Sequence, residues 1–263
     1  MIVRTLGTAM VVFTDRHGGV SRGPYESANL AYHVGDEPDA VAENRALAAA
    51  RAGMGRPDQW ACVHQVHGNG VVRFDAPPGS GTEPAFRSGT EPAFRSGTEP
   101  AFRSGTEPDA DASVTTAIGL PLVILTADCA PLAIVGDGAV AAVHVGWAGL
   151  EAGVVERAAN AVRAVAPGPL RAVLGPCIHP GRYEFGPGLL ERLVTRFGVE
   201  IAALTEADRP ALDIPAAVRI ALRNAGVDAL DDVGVCTASS PDYFSYRRDG
   251  DTGRQAMLVV RER

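Results

Sequence analysis

An α/β domain, mixed in its strands and helices, is the fold class the sequence predicts, and three observations predict it. Short β-branched apolar runs, GLPLVILTA, PLAIVGDGAVAAVHV, RAVLG and AMLVVRE, alternate with amphipathic segments that carry helix start and stop signals. Of 263 residues 46% are hydrophobic, which supplies a core for one large domain. No linker divides the chain once a repeated insert at residues 81 to 108 is set aside, so residues 1 to 263 are expected to form a single domain.

Taken in order, the N-terminal MIVRTLGTAMVVF has an Arg inside a short mixed stretch and no small-residue cleavage site after it. It is expected to be a first strand, not a signal peptide, and a cytoplasmic address follows. DEPDAVAENRALAAARAG, from Asp36, has Pro38 near its first turn and Gly53 at its end, the composition of a helix. The octapeptide GTEPAFRS is then copied three times and begun a fourth. Eight residues are too few to supply a packable unit, and each copy carries Gly and Pro, so the expectation is a solvated loop without helix or ladder. GPGLLERLVTRFG puts Pro187 at a helix start, an apolar stripe at Leu189, Leu190, Leu193, Val194 and Phe197, and Gly198 as the stop. DIPAAVRIALRNAG repeats that design with Asp213, Pro215 and Gly226.

Composition excludes several functions. A net charge of -7, with no Lys/Arg run and no interleaved aromatics, argues against nucleic acid as a partner. No apolar run is long enough to span a bilayer. Cys62, Cys129, Cys177 and Cys236 contain no CxxC pair and do not look like a disulfide framework.

Chemistry concentrates in PLVILTADCAPLAIVGDGAVAAVHVGWAG, where two apolar strands flank a turn. If the turn is Gly136-Asp137, Cys129 falls opposite His144. Pro131 beside Cys129 would interrupt the ladder. HQVHGNGVV adds His64 and His67 as further candidates. One Cys thiolate and two imidazoles make a three-ligand zinc site with its fourth tetrahedral position open, the catalytic pattern. The alternative is a nucleophile pair in which His144 activates Cys129. The segment LEAGVVERAANAVRAV has helical periodicity, and a helix starting at Gly149 beside the metal would suit phosphate. YFSYRRDGDTGRQ brings Arg247 and Arg248 next to aromatic rings, expected as an extended hairpin that suits a planar base and a phosphate. TDRHGGVSRGPY, with Arg16, is a similar Gly-rich basic loop. The sequence assigns no role to His17, His33 and His179.

Eight blocks, RHGGVSRGPY, NLAYHVGDEPDAVAENR, QVHGNGV, DADASVT, TADCAPL, HVGWAG, LGPCIHPGRYEFG and FSYRRDGDTGRQA, together resemble in order the laccase-domain or multicopper polyphenol oxidase family. That family includes peptidoglycan editing factors and purine nucleoside phosphorylases. The resemblance implies mixed sheets with helices in a CNF-toxin-like cysteine hydrolase architecture, and a metal, usually zinc, on His67, Cys129 and His144. It also implies phosphorolysis of adenosine, inosine and methylthioadenosine, with adenosine deamination, so that nucleoside and phosphate are the expected partners. Alternatives within the family are an amidase acting on UDP-muramoyl-L-serine and a copper-dependent phenol oxidase. A non-catalytic zinc protein, with His64 as fourth ligand, is the alternative outside enzymes. Asp128 or Glu184 is the expected proton carrier, Arg248, Arg247 and Gly149 the phosphate contacts, and Tyr183, Glu184 and Arg16 further substrate contacts. Ala148 stands where the family usually has Arg, which removes one anion contact. A multicopper cluster needs about ten His ligands. The chain has six His and no HxH pair, so zinc is favoured, with a single copper at the same ligands allowed by the Irving–Williams order.

Deleting residues 81 to 104 removes three whole octapeptides and keeps GTEP before Asp109. Loop-closure entropy changes by only about 0.6 kcal/mol per doubling of length, so the melting temperature should hold or rise slightly. A large fall in thermal melting would mean that the repeat packs on the body.

Overall fold

The computed structural model describes residues 1–77, 87–88 and 107–262. Most of its strands form two large mixed sheets, and Ala202–Leu204 pairs with Pro210–Leu212 in a small third one. One large sheet has the order Ile2–Leu6, Ala9–Phe13, Gln255–Arg261, Leu122–Thr126, Ala61–Cys62. The other runs Ala229–Asp232, Arg171–Leu174, Ala130–Gly136, Ala139–Val145, Ala112–Thr115, Val71–Arg73, Arg87–Ser88. Among the described residues no helix is long and apolar enough to cross a membrane.

The sheets stack face to face, because alternate residues of a strand point to opposite sides. Val11, Phe13, Ile124 and Met257 of the first meet Ala133, Val135, Val140 and Val173 of the second in one buried cluster. The other face of the first sheet, with Val12, Val123 and Leu258, is covered by Ala48 and Ala49 of the helix Pro38–Ala52. Leu132, Ile134 and Val143 on the outer face of the second pack under the helices Val154–Val165, Pro187–Phe197 and Ile214–Asn224. The result is four layers, helix, sheet, sheet, helix. Ala130–Gly136 and Ala139–Val145 are covered on both faces, and each is buried at every position.

Caps fall where the sequence placed them. Pro38 opens its helix and Gly53 closes it at φ 66°, in the left-handed region that glycine enters without strain. The Asp213 carboxylate accepts the Ala216 N–H at 2.8 Å as an N-cap.

Three expectations are corrected. The N-terminal stretch is a hairpin of two strands, Ile2 pairing with Phe13 through to Leu6 with Ala9. The helix after His144 is two helices, Trp147–Ala152 and Val154–Val165, separated at Gly153 with φ 85°. Within the repeat, Arg87–Ser88 pairs antiparallel with Val71 and Val72, where no ladder was expected. The rest of the expected repeat loop lies outside the described residues.

A close contact ties the sheets together: a Cβ at Gly175 would overlap the ring of Phe13, which is 1% exposed. Gly175→Ala should therefore destabilise by about 1–3 kcal/mol through overpacking. Gly188→Ala, with nothing within 4 Å of the added methyl, should stabilise by about 0.5–1 kcal/mol. Denaturant midpoints of the two variants check the pair, and equal midpoints would show that Phe13 yields freely.

Candidate metal centre

Cys129 stands immediately before the strand Ala130–Gly136, and His144 lies near the end of its partner Ala139–Val145. The register pairs Pro131 with His144 and Gly136 with Ala139, which leaves Asp137-Gly138 as the loop. The expected Gly136-Asp137 turn is thus off by one residue, and Cys129 lies beyond the ladder, not opposite His144. The reason is packing. Gly136 is needed inside the strand, where a Cβ would approach Leu170 and Val162 side chains at 3.0 Å, while Gly138 takes the positive φ of 97°. Pro131 does not interrupt the ladder. His144 turns its N–H away from it, to Asp111 O at 2.7 Å, so the pair requires no donor from the proline.

His67 arrives on a loop held by a single carboxylate. Asp111, fully buried, accepts the backbone N–H groups of Val66 at 3.3 Å, His67 at 2.9 Å and Gly68 at 2.6 Å. The same carboxylate lies 2.8 Å from His144 Nδ1. A carboxylate engaged by backbone donors can only accept, so Nδ1 carries the proton and Nε2 is left to face the centre. Gln65 braces the loop from the other side, exchanging two hydrogen bonds with the Leu125 backbone at 2.8 and 2.9 Å. His67 itself sits at φ 58°, and Asp128, next to Cys129, at φ 97°. Non-glycine residues rarely adopt such angles, and these two flank the same centre.

These elements bring one ligand atom each from His67, Cys129 and His144 within 4.8 Å of one another. His67 Nε2 is 3.9 Å from Cys129 Sγ, close to the edge of about 3.5 Å in a tetrahedron around zinc. The two imidazole rings meet edge to face with centroids 4.8 Å apart. Burial acts to raise the Cys129 pKa, but the two imidazoles outweigh it and bring the thiol down to about 6. Burial likewise opposes charge on His144, and the Cys129 thiolate and Asp111 outweigh it, raising that group to about 10. A thiolate between two imidazoles, one of them oriented from behind, fits a borderline-soft divalent ion such as zinc. Gly146 completes the enclosure: a Cβ there would come within 3.0 Å of His67 and 3.4 Å of Cys129 Sγ. His64 points elsewhere, its Nδ1 2.7 Å from Asp109, and does not join the cluster.

Around the centre the structure redistributes the expected roles. Asp128 is 8% exposed and both its oxygens are engaged, Oδ1 by Thr237 Oγ1 and Oδ2 by the Arg247 N–H, each at 2.6 Å. It holds the Cys129 segment in place. The expected hairpin at Arg247 is a helical turn, Tyr246–Asp249, capped by Ser245 Oγ accepting the Arg248 N–H at 3.2 Å. Arg248 is fully occupied: its guanidinium bonds both Asp249 oxygens and the carbonyls of Thr237, Ser240 and Tyr243. Arg247 is different. Among the described residues its side chain makes one hydrogen bond, to Glu184 O at 3.0 Å, and lies over the Tyr183 ring at 4.9 Å. Tyr183 in turn packs on Phe185, and Phe185 on Trp147, with centroids 5.5 and 5.9 Å apart. Glu184 Oε1 accepts from Arg209 at 2.8 Å. Arg16 donates to Glu26 O and lies 4.6 Å over the Phe244 ring. Gly149 is not a helix start. It lies in the middle of Trp147–Ala152, buried where a Cβ would meet Gly68 O at 3.0 Å, so it lets the helix approach the His67 loop.

Sequence reasoning missed Asp111 and Thr237. Asp111 sits in an alanine-flanked block just before a strand, and an acid entering a buried strand was the available signal. Thr237 carried none.

Cys129→Ala should abolish zinc binding while Cys62→Ala retains it, and Asp111→Asn should weaken zinc by about 10–100-fold through loss of ligand orientation. Metal content after dialysis against graded chelator measures all three. Full zinc occupancy in Cys129→Ala would sink the ligand assignment.

Similarity to known proteins covers fold and sequence together. A purine nucleoside phosphorylase of Streptomyces coelicolor is 39% identical over 261 residues, 97% of this chain and 96% of its own. A purine nucleoside phosphorylase of Escherichia coli, YfiH, is 33% identical over 250 residues, 94% of this chain and 91% of its own. The crystal structure of YlmD from Geobacillus stearothermophilus matches with a TM-score of 0.82 at 28% identity, covering 98% of this chain and 93% of that one. Residues 10–262 match the family described as multi-copper polyphenol oxidoreductase laccase, and the chain belongs to that family.

Proposed function

We propose that this chain is a zinc-dependent purine nucleoside enzyme that phosphorolyses adenosine, inosine and methylthioadenosine and also deaminates adenosine. The observation that carries the reading is the His67, Cys129 and His144 cluster beside an aromatic group with a mostly free arginine, in a chain whose relatives are named purine nucleoside phosphorylases. When bound, the ion supplies a Lewis acid at the centre. The chain's own residues do the rest. Tyr183 and Trp147, half-buried and packed on the core ring of Phe185, offer aromatic surface for a purine. Arg247, with guanidinium N–H groups to spare, takes the phosphate contact that Arg248 cannot make. Asp128, with both oxygens engaged, positions Cys129, which leaves the exposed Glu184 as the candidate proton carrier. Nucleosides and phosphate are metabolites of the cytoplasm, the address proposed for the protein.

A second reading is an amide hydrolase acting on UDP-muramoyl-L-serine. The line from Asp111 through His144 to Cys129 favours it, since acid, imidazole and thiol in that order are the parts of an activated cysteine nucleophile. This is the chemistry that a CNF-toxin-like cysteine hydrolase architecture would use. Multicopper oxidation is disfavoured, because the described residues bring together one three-ligand cluster.

Metal-replete protein incubated with the three nucleosides should release free base only when phosphate is present, and should leave UDP-muramoyl-L-serine intact. Arg247→Ala should slow phosphorolysis by about ten- to a hundredfold and deamination much less, since only phosphorolysis has phosphate as a reactant. Equal losses of both reactions would mean that Arg247 shapes the pocket. Hydrolysis of the muramoyl amide without base release would replace the first reading by the second.

A further inference from the structure

Beyond the paired strands Arg171–Leu174 and Ala229–Asp232, two loop segments run on side by side, and Cys177 meets Cys236 as parallel bridge partners. The Cys177 N–H donates to Val235 O at 3.2 Å and the Thr237 N–H to Cys177 O at 3.0 Å, one bond on each side of Cys236. Neighbouring strands lie about 4.8 Å apart. That spacing falls within the Cα separation of about 4.4–6.8 Å that a disulfide spans, and ladder partners present their side chains on the same face. Both residues are free thiols here. Cys177 is 1% exposed, and burial above all, with Asp232 and Cys236 adding to it, holds its thiol well above the ordinary range. Cys236 is half-buried, and its Sγ accepts the His179 N–H at 3.3 Å.

The pair adjoins the metal centre without belonging to it. Ile178, next to Cys177, donates its N–H to Asp128 O at 2.9 Å. Thr237, next to Cys236, donates its hydroxyl to Asp128 Oδ1 at 2.6 Å. Both cysteines therefore sit one residue from a bond that holds Asp128, and Asp128 precedes the ligand Cys129.

We propose that Cys177 and Cys236 form a reversible dithiol whose closure to a disulfide loosens the hold on Asp128 and so on the Cys129 segment. With a low-molecular-weight disulfide such as oxidised glutathione, the more accessible Cys236 thiolate attacks one glutathione sulfur and releases one glutathione thiolate. Cys177, once deprotonated, attacks Cys236 Sγ in the mixed disulfide and releases the second. Two protein thiols and one oxidised glutathione thus become one protein disulfide and two glutathione molecules, the protein losing two electrons and two protons. The new bond draws Cys236 Sγ away from the His179 N–H and moves its neighbour Thr237. The proposal does not depend on which substrate the centre takes.

Zinc-loaded full-length protein incubated with oxidised glutathione tests it. Peptide mapping should find Cys177 linked to Cys236 with the loss of two hydrogens, reversed by dithiothreitol. Hydrogen exchange at the Arg247 amide, which is bonded to Asp128, should quicken by about tenfold in the oxidised protein. Cys177→Ser, with Cys177→Ala as a second variant should the first fail to fold, should instead hold glutathione at Cys236 without the linkage. Free thiols or a glutathione adduct alone in the unmutated protein would overturn the dithiol. Linkage with unchanged Arg247 exchange would overturn its coupling to the centre.

Discussion

The carboxylate of Asp111 is the interaction on which the centre depends. It lies fully buried just before the strand Ala112–Thr115, between the strand that carries His144 and the loop that carries His67. A charge in that position is tolerated only when its lone pairs are filled. Three successive backbone donors of the 66–68 loop and the His144 ring fill them. The same bonds that make the burial of Asp111 acceptable thus bend one loop, set one imidazole tautomer and bring two ligands from distant parts of the chain face to face. The Asp111 carbonyl strengthens the arrangement by accepting the His144 N–H, so that both the backbone and the ring of His144 refer to one residue.

Cys129 is placed by a separate system. Asp128 takes a left-handed backbone angle that costs about 1–3 kcal/mol in a non-glycine residue. It is held there by Ile178, Thr237 and Arg247, all at least 50 residues from it in sequence. Arg248 secures the Thr237 segment in turn by bonding the Thr237 and Ser240 carbonyls. The arginine pair is therefore divided in function by a helical turn: one side chain folds back to build the wall, and its neighbour faces outward over Tyr183. The four layers beneath supply rigidity. Strands buried on both faces leave Cys129 and His144 little freedom, and the contact of Gly175 with Phe13 locks the sheets to each other beside Pro131.

Much of this was legible in the sequence, for local reasons. The helices at Pro38–Ala52, Pro187–Phe197 and Ile214–Asn224 announce themselves because proline, glycine and a 3.6-residue apolar stripe act within a few residues of one another. The strand runs are equally local, since burial on both faces requires apolar residues at every position. Ligand chemistry singled out Cys129, His144 and the His64/His67 pair, and the resemblance chose His67; the structure brings His67, Cys129 and His144 together and sends His64 to Asp109.

What the tertiary structure alone decided are the matters in which a residue's role depends on partners remote in sequence. Gly136 pairs with Ala139 inside the strand, at a position where a Cβ would crowd Leu170 and Val162. Gly149 is a point of close approach because Gly68 lies against it. Arg248 is structural because five acceptors from Thr237, Ser240, Tyr243 and Asp249 converge on its guanidinium. Asp111 is indispensable to the centre because the 66–68 loop and His144 close around it. The sequence by itself determined the long helices, the apolar strand runs and which side chains can bind a metal, since propensity, periodicity and ligand chemistry are properties of short segments. Which donors a buried carboxylate or guanidinium satisfies is settled only when sheets and loops meet, because hydrogen bonding is a matter of distance in space and not along the chain.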